Sequence, residues 1–265
     1  MKIILWNIRG LGWKQKGGKI KKLVKSRSVV VLLLQETKGS NVDEMFVKSV
    51  WPFELMQFMA VDSEGSAGGL LCVWNPVAFK LVECCSSRNF LLLSGTFNHS
   101  FDCVVVNNYA PNDGSSRGML WDSLVRLKPS FGNPWCIGGD YNEIRYLSER
   151  RGCLRRDKEM FKFNEFIEKI ELSDLPLLGR EFIWRNLVDG ERWSRIDRFL
   201  LEFEWLEVFR LKQWGLPRSV SDHCPLLLMG DARNWGPRPF RFINVWLLHS
   251  NFKVMVNKSW EVADV

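Results

Sequence analysis

The chain lacks the long apolar stretches that place proteins in membranes. Nowhere in its 265 residues does an apolar run approach the length of about 18 that a membrane-spanning helix needs. Before Arg9, the N-terminus is apolar only over residues 3–6, which is too short for the apolar core of a secretory signal. The sequence therefore predicts an intracellular protein of the nucleus or cytoplasm that is neither secreted nor bound to a membrane.

The cysteines lack the spacing of two other protein classes. Their number, seven, is odd. No two of them are separated by the roughly two to four residues typical of a zinc knuckle. Their wide spacing is also unlike the dense disulfide framework of small secreted domains. We predict reduced, mostly buried thiols.

Segments rich in proline, glycine and serine are missing before Asp231, so no interdomain linker is predicted there. A composition of 46% hydrophobic and 25% charged residues is ordinary for a globular domain. We predict one domain over residues 1–230 and a C-terminal tail over residues 231–265. The tail has apolar residues at helical spacing, which suits either a helix that docks on a further domain or one that covers the core: Trp246, Phe252, Val256 and Trp260.

The net charge of +7 is concentrated near the N-terminus. Residues 1–38 contain ten Lys and Arg and one Glu, a net +9, so the remaining residues carry about −2. A dense group of basic residues lies between Lys14 and Arg27, and a second consists of Arg150, Arg151, Arg155 and Arg156. Such groups suit polyanions, because phosphate contacts release counterions. For the first group taken alone, a solvated helix face is the favoured interpretation.

The hydrophobic pattern predicts a mixed α/β protein. Strand, helix and strand over residues 2–7, 17–26 and 29–34 form a βαβ opening that would place Asn7 and Glu36 at one sheet edge. Helices capped by Ser115 or Ser116 and by Asp157 follow later. About ten strands are too many for one strongly twisted sheet, so two packed sheets are predicted. The other strands are predicted over 53–61, 70–74, 79–84, 89–97, 103–109, 135–139, 196–201 and 224–229. The first five of these follow one another without helices, so antiparallel pairing is predicted for them.

A glycine-rich piece at residues 64–69 has no Lys-Ser or Lys-Thr after it. A phosphate-cradling loop therefore does not fit, and a hairpin turn is predicted instead.

Five short polar islands each follow an apolar run, so each is predicted to lie where a strand ends, on one rim. They cover residues 6–10, 35–37, 138–142, 195–198 and 221–223. Taken singly, each acid has a simpler interpretation without a catalytic role: Asp140 as a turn residue, Asp222 as a helix or loop cap, and Asp197 as part of a surface ion pair. Together the islands supply Asn7, four carboxylates and His223, the groups that a hard-metal site for phosphodiester cleavage needs.

These islands, in this order, resemble the motifs of the endonuclease/exonuclease/phosphatase superfamily. That superfamily includes apurinic/apyrimidinic endonucleases and the endonuclease domains of non-LTR retrotransposons. The stretches after Leu178, Leu216 and Gly236 resemble plant retrotransposon endonucleases, and the last resembles the segment that leads to a reverse transcriptase. The hallmark Tyr-x-Asp-Asp of that enzyme is absent. The motifs are Trp6-Asn7-Ile8-Arg9-Gly10-Leu11, Gln35-Glu36-Thr37, Tyr109-Ala110-Pro111-Asn112, Gly139-Asp140-Tyr141-Asn142-Glu143, Ser194-Arg195-Ile196-Asp197-Arg198 and Ser221-Asp222-His223-Cys224-Pro225.

The resemblance implies a four-layer α/β/β/α sandwich of two mixed β-sheets flanked by helices, and hydrolysis of a phosphodiester with Mg²⁺ or Mn²⁺. Metal ligation is assigned to Asn7 and Glu36, because hard cations take oxygen ligands. His223 is expected to pair with Asp197, whose negative charge favours the imidazolium. Whether His223 or Asp140 is the general base stays open. Candidate catalytic residues are Tyr109, Asp140, Asn142, Asp197, Asp222 and His223, and candidate substrate contacts are Arg9, Asn112, Trp184 and Ser221.

Two positions depart from the repair enzymes of this superfamily. Arg9 stands where they carry Asp, as a basic residue does in the retrotransposon relatives, and Ile183 stands where a Thr precedes the Trp. Trp184 suits either stacking on bases or a place in the core.

Three functions follow from the resemblance. The first is a DNA-nicking endonuclease of a retrotransposon, with DNA and a downstream reverse transcriptase domain as partners. The second is a phosphoesterase of the same superfamily acting on RNA, an inositol phosphate or a lipid. The third is a decayed, non-catalytic nucleic-acid-binding remnant.

Overall fold

The computed structural model describes residues 1–10, 14–39, 41–63, 68–152, 158–187 and 191–230. The chain divides into two compact units, Met1–Asp231 and Ala232–Val265. The second unit, with the helix predicted in the tail, lies outside the described residues. So does Asp157, the predicted helix cap.

Sixteen strands, five α-helices and two short 3-10 helices, Lys128–Ser130 and Leu147–Glu149, follow one another in the described part of the first unit. The first half contains β1 (Lys2–Asn7), α1 (Lys14–Arg27), β2 (Val31–Gln35), α2 (Glu44–Val50), β3 (Gln57–Val61), β4 (Leu70–Trp74), β5 (Phe79–Ser86), β6 (Phe90–Phe97), β7 (Phe101–Tyr109) and α3 (Gly114–Leu127). The second half contains β8 (Trp135–Asp140), β9 (Arg150–Arg151), α4 (Lys158–Lys169), β10 (Ser173–Asp174), β11 (Leu177–Leu178), β12 (Trp184–Asn186), β13 (Arg192–Ser194), β14 (Asp197–Leu201), α5 (Phe203–Phe209), β15 (Leu211–Gly215) and β16 (Leu226–Gly230).

Two large mixed sheets contain most of these strands. The first has the order β11-β15-β16-β1-β2-β4-β3, and its pairs β1–β2 and β11–β15 are parallel. The second has the order β10-β14-β8-β7-β6-β5, in which β7 and β8 are parallel. The predicted βαβ opening and the antiparallel pairing of β5, β6 and β7 are confirmed. A small third sheet, β12-β13-β9, was not predicted.

Four layers result because the central strands are apolar on both faces. In β1, Ile3 and Leu5 pack between the two sheets, whereas Ile4 and Trp6 pack under α1 and α2. The outer face of the second sheet is covered by α3 and α4, whose Phe163 packs on it. Strands buried on both faces read as continuous apolar runs. The predicted α/β/β/α order is confirmed.

All ten predicted strands have counterparts, but short elements escaped prediction. These are β9 to β13 together with β15, α2 and α5. They have few residues, so they show no periodicity, and their pairing partners lie far away in the chain. Predicted strand 53–61 begins later, at Gln57. The predicted caps of α3 are wrong, since Asp113 is the cap and accepts a hydrogen bond from Ser116 N at 2.8 Å.

The helices of the described segments are too short or too polar for any of them to cross a membrane.

The strand directions gather the polar islands on one rim. Asn7 and Glu36 lie at the carboxyl ends of β1 and β2, and Asp140 lies at the end of β8. Two islands also lie at strand starts, which was not expected: Asp197 begins β14, shortly after β13 ends at Ser194, and His223 precedes β16. Since β14 is antiparallel to β8 and β16 is antiparallel to β1, those strand starts lie on the same rim.

Candidate active site

Asn7 joins carboxylates that come from the two different sheets. Its side-chain Nδ2 donates to Glu36 Oε1 at 2.9 Å and to Asp140 Oδ2, also at 2.9 Å. The side chain is fully buried, and Asp140 and Glu36 are 1% and 5% exposed. A neutral amide between two carboxylates lowers their mutual repulsion while holding both in place.

The loops after β1 and β2 are held in left-handed backbone conformations. Arg9 and Glu36 both have φ of +49°, an uncommon conformation for residues other than glycine. Gly10 N donates to Glu36 O at 2.6 Å, and Arg9 N donates to Asn7 Oδ1 at 3.1 Å. Lys16 Nζ at the start of α1 donates to Ile8 O at 3.0 Å. The two loops therefore fix each other, and α1 fixes the first.

Asp140 is held by its neighbours in the chain. Its Oδ1 accepts from Asn142 N at 2.9 Å, and Asn142 Nδ2 donates to Ala110 O at 2.7 Å. Burial, followed by the negative charge of Asp197, raises the pKa of Asp140 to about 7, although His223 opposes the shift. A carboxylate of this kind can accept a proton near neutral pH.

Asp197 and His223 form the charged pair that was predicted. Asp197 lies directly opposite Asp140 in the register of β14 and β8. His223 Nδ1 lies 2.7 Å from Asp197 Oδ2, while Nε2 lies 3.9 Å from Asp140 Oδ2. Burial alone would lower the pKa of His223, but Asp197, together with the charges of Asp140 and Asp222, raises it to about 9. The ring is a cation at neutral pH.

The backbone of His223 is fixed as well. His223 N donates to Ser221 Oγ at 3.1 Å, and His223 O accepts from Trp6 Nε1 at 3.1 Å. The Ser221 hydroxyl donates in turn to Asn7 O at 2.8 Å. Ser221, which was predicted to contact substrate, therefore links the histidine loop to the end of β1.

Tyr109 at the end of β7 presents a neutral phenol. Burial, followed by the charges of Glu36 and Asp140, raises its pKa well above the usual range, and its hydroxyl is hydrogen-bonded to Glu36. A phenol beside these groups can donate to a phosphate oxygen on which charge develops.

Asp222 contacts neither Asp197 nor the buried ring of His223 through a hydrogen bond. Arg9 Nη2 lies 3.2 Å from its Oδ2, and Trp184 Nε1 donates to the same oxygen at 3.1 Å. Burial would raise the pKa of Asp222, but the charges of His223 and Arg9 lower it. Trp184 is half-buried, so it belongs to the rim of the site rather than to the core.

A cleft of about 280 Å³ opens above these groups. The basic residues Arg150 and Arg192 line it but were not predicted as site residues. Arg150 did belong to a noted basic group, whereas Arg192 gave no signal, because β13 was not predicted. Seven of the predicted residues line the cleft, namely Arg9, Glu36, Asn112, Asp140, Asn142, Trp184 and His223.

Two groups of residues compete as metal ligands. Asp140, Asp197 and His223 offer ligand atoms within 4.8 Å of one another. In this group His223 Nδ1 and Asp197 Oδ2 are already paired with each other at 2.7 Å, so fewer of its donor atoms face the cleft. Glu36 instead presents a carboxylate to the cleft, where the amide nitrogen of Asn7 contacts it, while the amide oxygen of Asn7 accepts from Arg9 N. Hard oxygen donors of this kind fit Mg²⁺ or Mn²⁺.

A polar bridge beneath the rim was also missed. Gln35 Nε2 donates to Asn107 Oδ1 at 2.7 Å, and Asn107 Nδ2 donates to Leu34 O at 3.0 Å. All of these groups are fully buried. The signal in the sequence was the pair Asn107-Asn108 inside an otherwise apolar strand.

The described fold and site are those of a phosphoester-cleaving α/β sandwich. The chain belongs to the Endonuclease/Exonuclease/phosphatase family, whose model matches residues 4–232. A comparison with curated proteins finds no significant match.

Solved structures show the same fold at low sequence identity. The endonuclease domain of TRAS1, a telomere-specific non-LTR retrotransposon, has a TM-score of 0.66 and 14% identity, over 86% of this chain and 97% of that one. The AP endonuclease LMAP from Leishmania major has a TM-score of 0.65 and 18% identity, over 87% of each chain. A family protein from Bacteroides thetaiotaomicron has a TM-score of 0.63 and 15% identity, over 86% of this chain and 96% of that one.

Proposed function

We propose that this protein is a divalent-metal-dependent endonuclease that hydrolyses phosphodiester bonds of DNA, of the nicking type that serves a retrotransposon. The arrangement that carries the proposal is the buried set in which Asn7 bridges Glu36 and Asp140 beside the Asp197–His223 ion pair. It combines a place for a hard cation, a proton acceptor and a cationic donor at the mouth of one cleft.

Glu36 is the residue that would hold the metal ion. Asn7, predicted as a second ligand, would instead orient that carboxylate, because its amide nitrogen donates to Glu36 Oε1 and its amide oxygen accepts from Arg9 N. A bound Mg²⁺ or Mn²⁺ supplies Lewis-acid stabilisation of charge on the phosphate oxygens. The guanidinium of Arg9 lies 3.8 Å from Glu36 Oε1 and is partly exposed, so it is placed to contact a substrate phosphate beside that carboxylate.

Asp140 is the residue that orients the attacking water and accepts its proton. Its Oδ1 is fixed by Asn142 N and its Oδ2 by Asn7, and the carboxylate lines the cleft. Geometry requires a base within hydrogen-bond range of the water, which a cleft-lining carboxylate satisfies.

His223 donates from Nε2 to a phosphate oxygen. Its other nitrogen is committed to Asp197, which fixes the ring plane and keeps the charge on the ring. The role of general base therefore goes to Asp140 and that of charged donor to His223, with Tyr109 as a neutral donor.

Three arginines at the cleft favour a nucleic acid over a small ester. Arg9, Arg150 and Arg192 line it, and most protein–DNA hydrogen bonds go to the phosphate backbone. The similar fold of the retrotransposon endonuclease domain supports the same substrate class. A reverse transcriptase domain downstream of residue 236 is the partner that the retrotransposon-like sequence suggests.

The test is metal-dependent nicking of supercoiled plasmid. Wild-type protein with Mg²⁺ should convert it to the open circle, and chelation of the metal should stop the reaction. Asp140→Asn and His223→Ala should each lower the rate about 10²–10⁴-fold, the usual contribution of a proton-transfer group. Asp102→Asn is the matched control, because Asp102 is an exposed aspartate near the start of β7, at the far end of that strand from Tyr109.

Parallel substrates separate the alternatives. Abasic oligonucleotide, RNA and inositol phosphate are incubated under the same conditions. Phosphate release from inositol phosphate with intact plasmid would contradict the assignment of DNA as substrate. Binding of DNA without any metal-dependent turnover would identify a non-catalytic remnant.

A further inference from the structure

A second groove, of about 460 Å³, runs along α1 on the outer side of the first sheet. One wall consists of the basic residues Lys19, Lys22 and Arg27 of α1. The other wall is the segment after β15 that includes Leu216, Pro217 and Ser219. We call this feature the α1 groove.

The α1 groove has charge of one sign. No Asp or Glu occurs among the 14 residues of α1, and no carboxylate lines the groove among the described residues. Lys19, Lys22 and Arg27 are exposed, and none of them has an ion pair within the described part of the chain. Lys19 and Lys22 are three residues apart on the helix, so their like charges repel each other. A polyanion in the groove would remove this repulsion.

Two short segments connect the walls of the α1 groove to the rim of the active site. Ser219 lies two residues before Ser221, whose hydroxyl donates to Asn7 O. Two residues of extended chain span at most about 7 Å. At the start of α1, Lys16 Nζ donates to Ile8 O and Gly10 O, both at 3.0 Å, next to Arg9.

We infer that the α1 groove is an accessory site for the phosphodiester backbone of the nucleic acid, outside the bond that is cleaved. A DNA strand carries a phosphate every 3.4 Å or so along the helix axis, so a backbone held at the cleft has further phosphates near the groove. The inference rests on the proposed function for the class of substrate. A small phosphoester bound at the active-site cleft would not reach the α1 groove.

The experiment compares the full chain with the variant Lys19→Gln/Lys22→Gln/Arg27→Gln. Glutamine has a helix propensity close to that of Lys and Arg, so α1 is retained. Binding of a long DNA duplex is measured against salt concentration, with the metal removed so that no cleavage occurs. The slope of log Kobs against log salt is negative, and each lost phosphate contact reduces its magnitude by about 0.9. A reduction of up to about 2.7 is therefore expected for three lost contacts.

Two matched variants control for charge and for the fold. Lys80→Gln/Arg126→Gln/Lys169→Gln removes the same charge from exposed positions of β5, α3 and α4 and should bind with a slope close to that of wild type. Lys19→Arg/Lys22→Arg retains the charge and should bind as wild type does. Hydrolysis of bis(p-nitrophenyl) phosphate, too small to span both clefts, should be unchanged in all three variants.

The outcomes separate this inference from the proposed function. One outcome is that wild type binds duplex in a salt-dependent way but does not cleave it, and that the groove variant binds more weakly. This would contradict the proposed function and support the inference that the α1 groove binds the phosphodiester backbone. An unchanged slope in the groove variant would overturn the inference whether or not plasmid is nicked. Loss of small-ester hydrolysis in the groove variant would also contradict the inference. So would a groove variant that binds duplex as wild type does but no longer binds anionic lipid vesicles.

Discussion

Replacement of Asp197 by Asn should remove the positive charge from His223 with little change in shape. The two side chains are 2.7 Å apart and both are almost fully buried. Burial opposes the imidazolium, and Asp197 contributes the largest effects that favour it. Without that charge, burial is opposed only by the weaker effects of Asp140 and Asp222, so the pKa of His223 should fall from about 9 towards the ordinary value of 6.5.

The size of this change follows from the pKa values. One pKa unit corresponds to about 1.4 kcal/mol, so the charged ring loses about 3 kcal/mol relative to the neutral ring. At a pH of about 7.5 the protonated fraction of His223 falls from nearly all to about a tenth. The rate should fall about tenfold from protonation alone, and the alkaline limb of the pH–rate profile should move from near 9 towards 6.5.

Stability should change with pH in the same sense. The pKa of folded His223 lies above that of an unfolded histidine, about 6.5. The pair therefore contributes its full share of the free energy of unfolding below that pH and loses it as the pH rises through about 9. In Asp197→Asn this alkaline loss should disappear.

Proton NMR of the histidine rings measures the effect directly. The chain has three histidines, so His223→Ala assigns the relevant signal by removing it. The reasoning is refuted if wild-type His223 titrates at 6.5 or below, or if Asp197→Asn leaves the alkaline limb near 9. Asp102→Asn, which changes a remote exposed carboxylate, should shift neither quantity.

Three further substitutions test separate parts of the molecule. Glu36→Gln should abolish the rise in melting temperature on addition of Mg²⁺ to the wild type, and a retained rise would place the ion elsewhere. Gly139→Ala should destabilise the protein, because a Cβ there would lie 2.5 Å from Asn108 O, and denaturant unfolding checks this. Arg198→Met should destabilise the protein, because it removes the buried guanidinium that pairs with Glu149 and Asp174. Since Arg195 still pairs with both carboxylates, the loss of unfolding free energy should lie between the less than about 1 kcal/mol of an exposed pair and the about 3–5 kcal/mol of an unpaired buried charge.

The layers of the fold could be predicted because their strands are long and apolar. Ten strands and the pairing of β1 with β2 follow from continuous apolar runs and from the helix between them. The small sheet could not be predicted, since β9 and β12 have two and three residues and depend on pairing with β13. Because that sheet was not predicted, Arg192 was not identified as a site residue.

The sequence predicted which residues belong to the candidate site, but not most of the contacts between them. The motifs identified Asp197 and His223 as a pair, and the structure places them 2.7 Å apart. The partners of Asp222 and Ser221 depend on which loops face one another across the rim. Such contacts are set by the packing of the two sheets, which local sequence does not encode.

Because the site is divided between the sheets, its geometry depends on how they pack. Asn7 belongs to the first sheet and Asp140 to the second, and a single amide group joins them. Directly beneath, the buried hydrogen bond between Gln35 and Asn107 crosses the same interface. An unpaired polar group there would cost about 1–3 kcal/mol, so any sliding of one sheet past the other is penalised. An apolar interface alone would permit small shifts, whereas this polar pair fixes the register that holds Glu36 beside Asp140.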